Sequence, residues 1–160
     1  MTQPSFDDAR FRQVLGHFPT GVCVVAAVHD DAAVGLAIGS FFSVSLEPPL
    51  VAFCPAKTSS TWPKLRQVGR FCVNVLAEDQ EDVSRVFASK AADKFAGLAW
   101  DRSPLGSPRL GGALAWIDCE LTAVHDAGDH DIAVGAVHEL HVAEEGRPLV
   151  FFRGGYAGLS

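Results

Sequence analysis

Apolar runs in this sequence, such as residues 22–28 and 50–54, fall far short of the ~20 residues that a membrane-spanning helix requires. The amino terminus has no basic stretch followed by an apolar signal core, so the expected location is the cytosol, with no membrane partner. Positive charge is scarce: 13 Lys and Arg stand against 19 Asp and Glu, a formal charge of −6. Such a surface repels a phosphate backbone as a whole, and nucleic acid is not an expected partner. The four cysteines (Cys23, Cys54, Cys72 and Cys119) include no Cys-x-x-Cys pair, and the six histidines no His-x-x-x-His pair. Free, buried cysteines and no metal site are expected. Also missing are the Gly-x-Ser-x-Gly elbow of serine hydrolases and any Gly-x-Gly-x-x-Gly after the first strand. Any nucleotide is therefore bound without the Rossmann device, and nothing calls for a nucleophile supplied by the protein.

What is present suits one globular domain over residues 1–160. With 48% hydrophobic and 20% charged residues, a chain of this length buries roughly 70% of its unfolded surface. Phe6, Ala9, Phe11, Val14, Leu15 and Phe18 recur at helical spacing and predict a first helix over 6–18, ended by Pro19 and Gly21. Strands are predicted over 22–29 and 33–38, joined by the acidic turn Asp30-Asp31. Alternation over 43–46 is broken by Pro48-Pro49, and a buried strand resumes at 50–54. A short helix over 60–68 follows, with Pro63 near its first turn, then a strand over 71–76 and a helix over 78–88. A Gly/Pro-rich loop is expected around Gly106 and Pro108. Strands then follow over 113–124, 132–142 and 149–152. Six or so strands with few helices imply a mainly β protein: a closed or nearly closed antiparallel barrel with peripheral helices.

Four segments carry possible chemistry. Lys57-Thr58-Ser59-Ser60-Thr61 lies between a strand end and a helix start, and its hydroxyls, N–H groups and one ammonium suit a phosphate. The same hydroxyls serve equally as an N-cap, a task that needs only one of them. Gly35-Leu36-Ala37-Ile38-Gly39-Ser40 lets a flat ligand approach the main chain, or is a strand ending in a bulge. Gly128-Asp129-His130-Asp131 sets an imidazole beside carboxylates at a loop rim, for a ligand or simply in solvent. Arg153 and Tyr156 flank two glycines, where a cation pairs with phosphate and a ring stacks, or where a surface arginine follows a last core strand.

Thr20-Gly21-Val22, Ser40-Phe41, Ser43-Val44-Ser45-Leu46-Glu47-Pro48-Pro49-Leu50-Val51, Phe71-Cys72-Val73-Asn74-Val75-Leu76 and Gly128-Asp129-His130 occur in that order. Together they resemble the flavin reductase family, whose fold is the FMN-binding split barrel, an antiparallel split β-barrel. The likeness runs from about Phe11 to Tyr156. Phe53-Cys54-Pro55 and Asp93-Lys94-Phe95-Ala96-Gly97 narrow it to reductase partners of two-component monooxygenases of aromatic and steroid breakdown. The resemblance implies hydride transfer from NADH or NADPH to FMN or FAD, with the reduced flavin passing to a separate oxygenase. It also implies a homodimer with flavin near the subunit interface. By that likeness Ala37, Ile38, Gly39 and Ser40 lie along the flavin ring, and Cys54 with Lys57, Thr58, Ser59, Ser60 and Thr61 wraps the ribityl phosphate. His130 lies near the nicotinamide, and Arg153 with Tyr156 helps to hold the dinucleotide. The family often has Thr at position 37 and Asn or Ser at 39, so Ala37 and Gly39 leave main-chain donors to serve the ring. Phe42, where a small Thr or Val is common, narrows the pocket.

The expected mechanism places the hydride chemistry in the cofactor and the positioning in the protein, with no residue identified as a catalytic acid or base. Two other readings share the fold: a flavin or haem carrier without turnover, and an oxidase of a phosphorylated vitamin or a deazaflavin-using reductase.

Overall fold

A computed structural model describes residues 2–160 of the chain. The first seven described elements are α1 (Asp8–Leu15), β1 (Thr20–Gly21), β2 (Cys23–His29), β3 (Ala32–Ile38), β4 (Phe42–Ser45), β5 (Leu50–Phe53) and α2 (Trp62–Val68). Then come β6 (Arg70–Val75), a 3-10 turn at Glu78–Gln80, α3 (Glu81–Phe87), β7 (Trp100–Arg102) and β8 (Pro108–Leu110). The chain closes with β9 (Ala115–Ala127), β10 (His130–Val142), β11 (Val150–Phe152) and β12 (Gly155–Ala157). None of the described helices is long and apolar enough to cross a membrane.

Seven strands form one antiparallel sheet in the order β3-β2-β6-β9-β10-β5-β4. Laid flat, six spacings of about 4.8 Å would separate β3 from β4 by about 29 Å. Yet only Gly39, Ser40 and Phe41 join them, and four Cα steps span at most about 15 Å. The sheet therefore curls until its two edge strands approach at the end where the chain passes between them. Among the described residues no ladder joins β3 to β4, so the curl stays open. The expectation of a mainly β, antiparallel protein with peripheral helices holds, and the closed form of the barrel does not: the short link draws the edges near without bringing them into register.

β2 explains why its sequence reads as an uninterrupted apolar run. Cys23, Val25 and Ala27 pack into one core with Phe53, Trp62, Leu65 and Phe71, whereas Val22, Val24 and Ala26 pack into a second with Leu76, Phe87, Phe95 and Leu110. A strand covered on both faces has no solvent side to mark with polar residues. The turn that follows β2 is made by Asp30 and Asp31, both at positive φ (48° and 64°), as a tight two-residue hairpin loop requires.

Three departures from the sequence expectations have physical causes. The supposed loop around Gly106 and Pro108 is the hairpin β7–β8. Polar groups from the core hold it: buried Asn74 donates to the Pro108 carbonyl and accepts from the Leu110 N–H. Buried Asp118 accepts from the Ser103 hydroxyl and the Leu105 N–H. Three-residue strands kept by such distant partners leave no periodic trace. Second, β1, β11 and β12 form a separate three-stranded sheet of equally short strands. Third, α1 is shorter than 6–18, and its apolar face is uncovered: Phe11, Val14 and Leu15 are each about half exposed, and nearby Phe18 is 75% exposed.

Gly135 in β10 leaves the space that Phe71 fills, since a Cβ there would stand 2.6 Å from the Phe71 ring and 3.2 Å from Cys119 Cβ. Gly135→Ala is expected to destabilise the protein by about 1–3 kcal/mol, read from the urea midpoint. An unchanged midpoint would show that the ring has room to move.

Candidate active site

Where the curled sheet opens, the ends of β3 and β5, the start of β10, the segment before α2 and the segment after α3 enclose a cleft of about 530 Å³. Its lining includes Ala37, Ile38, Gly39, Ser40, Cys54, Ser59, Ser60, Thr61 and His130, so most of the residues singled out in the sequence meet in one place. A larger hollow of about 660 Å³ lies along α1 between Ser5 and Leu15. It is bounded chiefly by the exposed apolar face already described.

The β3 wall is unusual in what its main chain offers. The Leu76 N–H donates to the Val22 carbonyl, so Val22, Val24 and Ala26 turn their main-chain groups toward β6, and Cys23, Val25 and Ala27 turn theirs toward β3. In antiparallel pairing each residue sends N–H and C=O to the same side, alternately. The residues of β3 bonded to β2 are therefore Val34, Leu36 and Ile38, and Gly35 and Ala37 face outward. The Gly35 carbonyl does accept from the Lys94 ammonium at 3.4 Å. Ala37 thus presents an unladdered N–H and C=O to the cleft, an edge that a flat polar-rimmed ring can pair with. Ser40 pins this edge across the opening. Its Oγ accepts from the Cys54 N–H at 2.9 Å and donates to the Cys54 carbonyl at 3.4 Å.

The hydroxyl run divides its labour. Ser59 accepts from the N–H groups of Thr61 and Trp62 and so closes the turn that leads into α2, whose N-cap position is Thr61. Ser60 and Thr61 remain on the cleft wall, and among the described residues none engages their side-chain hydroxyls. The cation among them is Lys94. Its ammonium is half-buried, donates to the Phe87 carbonyl at 3.0 Å and to Gly35, and has a third N–H left for a ligand. Burial lowers the Lys94 pKa, a cost to its charge that an anion in the cleft would offset.

Lys57 lies elsewhere. It binds the Asp126 carboxylate and donates to the Gly128 carbonyl at 2.6 Å, bracing the β9–β10 turn. The hydrogen bond with Asp126 raises its pKa, and burial counters only in part. At that turn His130 Nδ1 stands 2.7 Å from the Asp129 carboxylate. A carboxylate only accepts, so Nδ1 carries the hydrogen and Nε2 is left for a ligand. The bond from His130 also holds the Asp129 carboxyl below its ordinary range.

The Flavin reductase like domain family matches residues 15–160 of the chain. The chain belongs to the flavin reductase family. Among its curated relatives, the reductase subunit HsaB of a flavin-dependent monooxygenase from Mycobacterium tuberculosis is 54% identical, over 96% of this chain and 83% of that protein. An FMN reductase (NADH), SmoA, from Agrobacterium fabrum is 41% identical over 98% of this chain and 90% of its own. The crystal structure of nitrilotriacetate monooxygenase component B from Mycobacterium thermoresistibile superposes with a TM-score of 0.94. It is 49% identical, covering 96% of this chain and 87% of that one.

Within this flavin reductase, four residues expected at the site lie outside the lining of the cleft: Lys57, Thr58, Arg153 and Tyr156. Tyr156 is tied by its hydroxyl to Ser84 at 2.8 Å, with Arg85 over its ring. Arg153 sits at a positive φ of 51°, lies over the Phe152 ring and bonds through its N–H to the Gly16 carbonyl. Conversely Phe87, Ala88, Ser89 and Lys94 line the cleft although residue spacing did not mark them. The available signal was the Asp93-Lys94-Phe95-Ala96-Gly97 tract, a lysine amid apolar residues just after a helix.

Burial holds the thiols of Cys23 and Cys119 up at about 12, and Cys72 is raised as well, whereas Cys54 opens on the cleft. At pH 8 the native protein is therefore expected to react with one equivalent of a thiol reagent, at Cys54, and all four cysteines to react after denaturation. Peptide mapping of the labelled protein checks this assignment, and early labelling of a core cysteine would refute it.

Proposed function

We propose that the cleft binds FMN or FAD and that the protein is an NAD(P)H:flavin oxidoreductase supplying reduced flavin to a separate oxygenase component. One observation carries the reading: an unladdered strand edge, free hydroxyls and a half-buried ammonium converge on a single cleft. These donors fit a ring with a polar rim and an anionic tail. A flavin held by these residues would supply the redox chemistry, as acceptor of a hydride from a reduced nicotinamide.

The residues supply position. The Ala37 main chain, with Gly39 beyond it, orients the polar edge of the ring. The absence of side-chain donors at 37 and 39 costs little where the backbone itself is exposed. Ser60, Thr61 and Lys94 hold the phosphate, a role for which Lys94 is better placed than Lys57. His130 Nε2 orients the nicotinamide, and the acceleration comes from holding two rings in contact rather than from a general base. NADH as donor is supported by the name of the FMN reductase relative, and an oxygenase partner by that of the HsaB reductase subunit. The split-barrel form is supported by the curled sheet with its open edge. A homodimer is supported by apolar side chains left without cover, Leu46 at 92% exposure and Phe18 at 75% among them. Four free cysteines accord with a cytoplasmic location.

Anaerobic mixing of protein, flavin and NADH is expected to bleach the long-wavelength flavin band rapidly. Persistent colour with flavin bound would instead assign a carrier. His130→Ala is expected to raise the KM for NADH about tenfold while the flavin Kd stays within about twofold. Ser60→Ala combined with Thr61→Ala is expected to do the reverse. Steady-state kinetics and flavin fluorescence titration separate the two patterns.

A further inference from the structure

The hydroxyl segment, residues 55–62, and the turn that carries His130 lie far apart in sequence but are bonded together at every level. Asp131 N–H donates to the Pro55 carbonyl at 3.0 Å, Lys57 N–H donates to the Asp129 carbonyl at 2.9 Å, and Ala56 pairs with His130 as an isolated bridge. The Lys57 side chain adds its bonds to Asp126 and Gly128 on the exposed side. On the buried side the Trp62 indole N–H donates to the Asp131 carboxylate at 2.9 Å.

That last bond has a particular position. Successive residues of a strand point to opposite faces, so as β10 begins His130 turns to the cleft and Asp131 turns inward. Trp62 opens α2, directly after Ser60 and Thr61, and its ring packs edge-on against Phe53. Asp131 is 7% exposed and Trp62 3%. Among the described residues the carboxylate takes a side-chain hydrogen bond from the indole alone, with the Arg66 guanidinium 4.0 Å away. Deleting the indole N–H leaves this largely buried carboxylate with only the longer Arg66 contact and removes its tie to the first residue of α2, so the turn is free to shift toward water.

We infer that Trp62 and Asp131 are positioning residues of the reductase reaction: their buried bond fixes the spacing between the phosphate-holding hydroxyls and the nicotinamide-facing His130. The inference rests on the flavin and nicotinamide placements proposed above. It differs from them in requiring that one lesion, outside the cleft lining, weaken both substrates together.

The test uses the full chain, with the flavin Kd measured for FMN and FAD, the KM measured for NADH, and circular dichroism to verify folding. Trp62→Phe keeps an aromatic ring against Phe53 while deleting the donor and part of the buried ring volume. It is expected to raise both constants by roughly five- to thirtyfold. Asp131→Asn retains an acceptor for the indole and is expected to stay within about threefold of the parent in both. Lys57→Met, a solvent-side change that keeps the core intact should Trp62→Phe fail to fold, is expected to raise both constants by about two- to threefold. A rise in one constant alone, in either Trp62→Phe or Lys57→Met, overturns the inference, as does an Asp131→Asn variant as impaired as Trp62→Phe. Absence of saturable flavin binding to the parent protein would remove the cleft reading itself, and this inference with it. Parent binding with independent responses removes the inference alone.

Discussion

The burial of β2 on both faces is the constraint from which the cleft follows. A strand flanked by two apolar cores must have strands on each side to satisfy its main chain, and β6 and β3 fill those places. β3 is then left at the edge of the sheet, with one row of main-chain groups unclaimed. Soluble proteins ordinarily cover or charge such an edge, because it invites pairing with another chain. Here part of the row is met by the Lys94 ammonium, and the rest faces a cleft suited to a ring with its own donors and acceptors. At positions 37 and 39, where polar side chains are lacking, that wall still offers the cleft an unladdered main chain.

Electrostatics and hydrogen bonding then sort Lys94, on the cleft wall, from Lys57, on the β9–β10 turn. Lys57 is neutralised by Asp126 and serves the architecture of the turn. Lys94 has no carboxylate partner among the described residues, only carbonyl dipoles, and it is the charge that an anion can still use. An acidic chain thus presents a local cationic spot inside an otherwise negative field.

How much of this was legible depended on whether a residue's role was local. The Val and Ala run of β2, the Asp30-Asp31 turn, the Pro63 helix start and the long strands β9 and β10 have local signatures, and they appear where composition and spacing put them. The cleft residues of β3, the hydroxyl run and the Gly-Asp-His turn were marked by residue type. Lys57 and Lys94 were not distinguishable that way, because what separates them is the Asp126 carboxylate, distant in sequence from Lys57 but adjacent in space. Tyr156 looked like a stacking ring for the same reason: its bond to Ser84 is a tertiary fact. The β7–β8 hairpin was invisible because buried Asn74 and Asp118, each inside another strand, hold it. The periodic apolar residues of the first helix did report an amphipathic face, but not that its cover is missing from the chain's own fold.

That bare face bears on how the chain reaches its working form. Eight residues are too few for a helix to hold itself together in water, where about 12–15 are already marginal. With none of its side chains buried, α1 also lacks the tertiary packing that ordinarily stabilises a short helix. Were a second copy of the chain to supply that cover, dilution would loosen the amino-terminal arm before the sheet is disturbed, and the melting temperature would climb with concentration.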